Sequence, residues 1–331
     1  MTELRIDAHV PEVSDETIDA ATTAEDLGFD AVWTAETAHD PFLPHPLIAE
    51  HTDEIDMGTQ IATSFTRSPM VLAYTSWDIQ RYSDGRFILG LGTQVKGHNE
   101  RRFSVDFEWE QPGPRLREEV RAIKHIFDVF QGDEEDLDFD GEFYQFSLMT
   151  DTFRPEPIES DAPPIYVAGV NEYNIRTAGA VADGLCMHPF NTPKYTDEVI
   201  APLVEDAASE AGRSLNDVDL VAGPFVITGT TDEEWERTKA EAKQRIAFYG
   251  STRTYHDVFE NHGFDDIGMK LHELSKEGKW QEMAALIDDD VLDAFAIRAD
   301  PEDLVDAVEE KYGGIADRVS LPLEFGEHFM S

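Results

Sequence analysis

The segment Trp33-Thr34-Ala35-Glu36-Thr37-Ala38-His39-Asp40-Pro41-Phe42 sets a carboxylate, an imidazole and an aromatic ring close together, directly after a short apolar run. Such a pair can pass a proton to or from a bound ligand. Two readings stand: Glu36 or His39 is the proton donor or acceptor, or Glu36 anchors the wall of the fold and His39 is an ordinary loop residue. Lys96, Arg101 and Arg102 gather three cations within seven residues, which suits either an anionic ligand or a salt-bridged surface loop. In Gly90-Leu91-Gly92-Thr93-Gln94 the glycines lack the spacing of a dinucleotide or phosphate-loop fingerprint, and read instead as admitting close approach of backbone or ligand. Ala168-Gly169-Val170-Asn171 is a small-residue turn running into a helix, whose first N–H groups form a ready anion site. No G-x-S-x-G or Ser/His/Asp arrangement supports a serine hydrolase, and no Cys/His cluster has zinc spacing. Cys186 lies in an apolar run and reads as a buried small hydrophobe.

These residues need strand ends to hold them. Short apolar runs alternate with amphipathic, helix-length stretches along the whole chain, the pattern of repeated βα units around a parallel sheet. Eight runs read as strands: 4–10, 31–34, 56–63, 87–91, 164–168, 184–188, 220–227 and 318–321. Helices are expected over 15–27, 69–82, 114–130, 231–249 and 301–312, with Ser68, Thr231 and Asp300 as caps. Eight units make an α/β (β/α)8 TIM barrel of one domain, 1–331, with insertions after strands four (131–154, a small hairpin) and seven (251–292, helical). In that fold the loops after the strands build the active site.

Composition narrows the function. The 331 residues carry 69 Asp+Glu against 26 Lys+Arg, a net charge of −43, so the chain repels nucleic acid and anionic membranes. Nine Lys against 17 Arg, with acids spread throughout, match a halophile's protein working in multimolar salt. One cysteine, no basic leader and no long apolar run point to a reducing cytoplasm.

Taken in order, LGFDAVWTAETAHDPF, GTQIATSFTRSPMVLAYTSWDIQRYSDGRFILGLGTQ, PRLREEVRAIKHIF, DGEFY and PPIYVAGVNEYNIRTAGAVADG resemble the bacterial luciferase-like superfamily of flavin- and deazaflavin-dependent TIM barrels. Within it the chain looks most like members using coenzyme F420, the methylenetetrahydromethanopterin reductases above all. The resemblance implies a bulge with a non-prolyl cis peptide at Gln60–Ile61, followed by Ala62, behind the deazaflavin ring. It implies ring contacts from Thr93 and Gln94, a phosphate turn at Ala168, Gly169, Val170 and Asn171, and a ligand-facing loop with Glu36, Asp40 and Phe42. Thr37 and Val95 stand where the sugar-phosphate dehydrogenases carry histidine and glutamate, so the reductase pattern is closer. The expected activity is hydride transfer to or from a small organic molecule, a pterin-bound one-carbon unit among the substrates considered. FMN with monooxygenase chemistry is the alternative, no metal is called for, and a homodimer is expected.

Overall fold

The computed structural model describes residues 4–12, 16–105 and 111–330. Its eight parallel strands are β1 (Arg5–His9), β2 (Ala31–Thr34), β3 (Asp56–Thr59), β4 (Phe87–Gly92), β5 (Ile165–Gly169), β6 (Gly184–Met187), β7 (Asp219–Ala222) and β8 (Arg318–Ser320). Each pairs with the next and β8 returns to β1, closing the expected (β/α)8 barrel.

Two of the apolar runs break internally. The 56–63 run breaks at Gln60–Ile61, whose peptide bond is cis, and the ladder resumes with Ala62–Thr63 beside Leu91 and Gly92. There Gln60 N–H donates to the Thr34 carbonyl at 2.7 Å, and the Ile61 carbonyl accepts from Glu36 N–H at 3.3 Å, so the bulge faces the β2 loop instead of β4. The 220–227 run breaks at Gly223-Pro224, where proline has no N–H for the ladder. Phe225–Ile227 then pairs in parallel with Ala296–Arg298 in a separate small sheet.

Among the caps, Ser68 Oγ accepts from Val71 N–H at 3.3 Å and Thr231 Oγ1 from Glu234 N–H at 3.2 Å. Asp300 makes no side-chain cap bond; Pro301–Asp303 is a 3-10 turn leading into Leu304–Tyr312. Asp15 lies outside the described residues, and its helix runs Glu16–Leu27. The first insertion contains the hairpin Phe139–Asp140 with Gln145–Phe146. The second forms helices, including Asp265–Lys276 and Trp280–Ala285, packed on the long helix Asp232–Gly250 around Phe259, Leu271 and Met283.

Inside the barrel, the buried rings of Trp33 and Tyr166 lie 6.0 Å apart beside Cys186. Glycine makes room for each: a Cβ on Gly58 would sit 2.5 Å from the Trp33 ring, and one on Gly184 2.6 Å from Tyr166. A buried ring of this size contributes on the order of 3–5 kcal/mol. Nearer the amino ends of the strands, Arg318 forks onto Asp7 at 2.8 and 2.9 Å, and Trp33 Nε1–H donates to the same carboxylate at 2.9 Å.

Candidate active site

The carboxyl end of β3 is held by a charged tripod. Glu36 Oε2 accepts from Thr63 N–H at 2.7 Å and from Arg67 at 2.9 Å, and its Oε1 accepts from Arg67 at 3.2 Å. The Nη2 that serves Glu36 Oε1 also donates to Asp40 at 2.7 Å, while Asp40 also caps Phe42 N–H at 2.9 Å and the Phe42 ring lies 5.1 Å below the guanidinium. Glu36 is 5% exposed and both its oxygens are engaged, the geometry of an anchor that locks the bulge to the β2 loop. Asp40 titrates below the usual carboxylate range: burial works against this, but bonds from Phe42 N–H and Arg67 outweigh it. His39 stands exposed on that loop, with no hydrogen-bond partner among the described residues.

Beside the bulge, Ile61 fills the space over Gly92, where a Cβ would lie 2.7 Å from its Cδ1 and 3.3 Å from the Ala168 Cβ. Gly90 is needed more strictly, since a Cβ there would fall 1.8 Å from the Thr59 carbonyl oxygen. The expected close approach at these glycines is thus between backbone and side chain of the barrel itself. Thr93 and Gln94 follow at the strand end; Gln94 has φ 54°, and its Oε1 accepts from Val95 N–H at 2.9 Å.

On β5, Gly169 leaves room for Leu185 and for the start of helix Glu172–Val181, Val170 is exposed, and Asn171 caps that helix by accepting from Asn174 N–H at 2.9 Å. The same helix start and that of Pro112–Gln131 border one cavity of about 290 Å³ with Thr93. Two helix N-termini border this cavity and their dipoles favour an anionic group, with Gly113 the one N–H that the Pro112-Gly113-Pro114 start can offer. The cation-rich loop is the helix Lys96–Arg101; Lys96 pairs with Glu100 at 3.5 Å, and Arg102 donates to the Thr37 carbonyl, tying the β4 loop to the β2 loop.

Sequence reasoning passed over a second set of residues at the mouth, of which His9 reaches the bulge itself through the Gln60 side chain. His9 and His188 end or follow β1 and β6, where the barrel rule directs attention, yet both sat inside apolar runs. Arg245, Tyr249 and Tyr255 come from the segment after β7 and have no motif to announce them. His188 stacks on Tyr255 at 4.7 Å and meets Tyr249 edge-on at 4.6 Å. Loss of solvation, then the charge of Arg245, pushes both His9 and His188 down to about 4, so each imidazole is neutral at pH 7. The Cys186 thiol is buried as expected, and burial pushes it up to about 12. Among the described residues no cluster of three or more His, Cys, Asp or Glu could hold a metal, and no helix is long and apolar enough to cross a membrane.

The closed barrel agrees with what the chain is related to. Residues 1–318 match the luciferase-like monooxygenase family, and the chain belongs to it. An uncharacterised protein of Mycobacterium tuberculosis is 42% identical over 320 residues, covering 97% of this chain and 93% of its own. The 5,10-methylenetetrahydromethanopterin reductase of Methanopyrus kandleri is 29% identical over 302 residues, 87% of this chain and 82% of its own. The solved structure of the coenzyme F420-dependent tetrahydromethanopterin reductase from Methanopyrus kandleri superposes with a TM-score of 0.78 over 99% of both chains at 23% identity, a likeness of fold.

Proposed function

We propose that this chain is an F420-dependent oxidoreductase. When bound, the coenzyme supplies or accepts a hydride at C5 of its deazaflavin ring, the other party being a small organic substrate such as a pterin-bound one-carbon unit. The observation that carries this reading is the convergence of the Gln60-Ile61-Ala62 bulge, Thr93 and Gln94, and the Ala168-Gly169-Val170-Asn171 turn around one mouth. The residues fit the group: Ile61 offers an apolar face, and the cavity beside Thr93 offers two helix N-termini to a phosphate. Glu36, through Arg67 and Thr63, holds the bulge in place, Asp40 steadies Arg67, and His39 exchanges the proton.

The relative from Methanopyrus kandleri supports the deazaflavin, and the family's description as monooxygenases supports FMN as the second reading. Equilibrium binding of the two, followed by ligand fluorescence, separates them. Preferential binding of F420 is expected; preferential binding of FMN with oxygen consumption would replace this reading with the monooxygenase one.

The acidic surface we read as an adaptation to multimolar salt. Screening shortens the reach of self-repulsion to a few ångströms at about 1 M. The melting temperature is expected to fall steadily as KCl is diluted. A value that does not move with salt removes the halophile reading.

A further inference from the structure

In the ring of eight strands β7 lies four places from β3 in either direction, so the segment after β7 faces the bulge across the mouth. That segment carries a run of aromatic rings outward from the barrel. His188 meets Tyr249 at 4.6 Å, Tyr249 meets Phe248 at 5.4 Å, and Phe248 meets Trp280 of the second insertion at 6.2 Å. Phe248 and Trp280 are about half exposed. Together with Met283 and Ala284 they line a cleft of about 510 Å³, within the size range of small-molecule sites.

Arg245, one helical turn before Tyr249, lines both this cleft and the chamber at the barrel mouth that holds His9 and Ser320. Its guanidinium lies 5.2 Å over the Phe225 ring and has neither a carboxylate within 4 Å nor a hydrogen-bond partner among the described residues. The carboxylates of Glu241 and Glu324, which line the same chamber, are turned to Arg237 at 3.4 and 3.2 Å. His188 stands behind Tyr249 in a neighbouring pocket that it lines with Tyr255. Its Nδ1 accepts from Phe190 N–H at 3.0 Å, which leaves the ring hydrogen on Nε2.

We propose that this cleft is the substrate site and takes a flat, apolar molecule bearing one anionic oxygen group, a carboxylate or a phosphate. Its ring system lies along Tyr249, Phe248 and Trp280, and its anionic group meets Arg245, which offers a planar fork of donors matched to such oxygens. This assignment rests on the reading that the coenzyme occupies the bulge side of the same mouth.

The test is isothermal titration of the whole protein in about 2 M KCl, a salt level that screens long-range charge and leaves direct contacts. The probes are 2-naphthoate, 2-naphthyl phosphate and the neutral 2-naphthalenemethanol, with F420 titrated in parallel. One of the two anions is expected to bind at least about tenfold more tightly than the alcohol, the worth of one charge-assisted hydrogen-bonded contact. The tighter anion identifies the group. In Arg245→Gln that advantage disappears, whereas Trp280→Ala weakens anion and alcohol by the same factor and leaves F420 affinity unchanged. Anions binding no better than the alcohol to the unaltered protein, or as well to Arg245→Gln, overturn the proposal whatever F420 does. Tight anion binding without F420 binding keeps the cleft and removes the coenzyme reading.

Discussion

Asp7→Ala is expected to lower the stability of the folded protein by about 3–5 kcal/mol, the cost of leaving a buried charge without its partner. Arg318 is 1% exposed and Asp7 fully buried, and the two make a forked pair at 2.8 and 2.9 Å. Removing the carboxylate leaves the guanidinium, among the described residues, one carboxylate partner, Asp56 at 3.4 Å, and strips Trp33 Nε1–H of its acceptor. The effect reaches the mouth through Trp33, which lies 5.7 Å from the guanidinium carbon and packs with Ile61 around the barrel interior. The double variant Asp7→Leu with Arg318→Met, which takes away both charges and returns apolar volume, is expected to recover most of the loss. Chemical denaturation midpoints for the single and double variants make the comparison. A loss under about 1 kcal/mol in Asp7→Ala, the size of an exposed pair, would show that the ion pair does not hold the barrel floor.

The barrel was legible because it is written in local pattern. Each strand is a short apolar run bounded by polar turns, and β2 coincides with its run residue for residue. Ser68-Pro69 announced its helix for the same reason, since a cap depends on neighbours three residues away. What stayed hidden depends on partners far along the chain. Arg318 reads as the polar start of an apolar run, and its carboxylate stands 311 residues earlier. Arg245 looks like one more cation on an amphipathic helix until the closure of the sheet brings that helix over His9 and His188. His9 and His188 were within reach of the strand-end rule, but a histidine inside an apolar run gives no sign of whether it faces the core or the mouth. The break in the 56–63 run is similar: nothing in GTQIAT marks which carbonyl will turn to the neighbouring loop, and the motif resemblance, not periodicity, pointed to Gln60–Ile61.

The two readings of Glu36 part under substitution. As an anchor, Glu36→Gln loses the charge that binds Arg67 and Thr63 N–H, contacts worth about 1.5–3 kcal/mol each for a charged acceptor largely removed from water. The bulge then loosens, and the coenzyme dissociation constant is expected to rise by about tenfold or more, with stability falling in step. Turnover at saturating coenzyme should change little. Arg67→Gln should reproduce part of this phenotype, because it removes the ion pair but leaves the Thr63 N–H bond to Glu36, while Asp40→Asn should do less, its side chain being 38% exposed. His39→Gln is expected to behave in the opposite way, lowering turnover by about 100-fold, the low end of what a general acid or base contributes, with coenzyme affinity intact. Coenzyme titration and steady-state rates on the four variants separate affinity from turnover. Loss of turnover in Glu36→Gln with unchanged coenzyme affinity and unchanged stability would make Glu36 the proton carrier and return His39 to an ordinary loop residue.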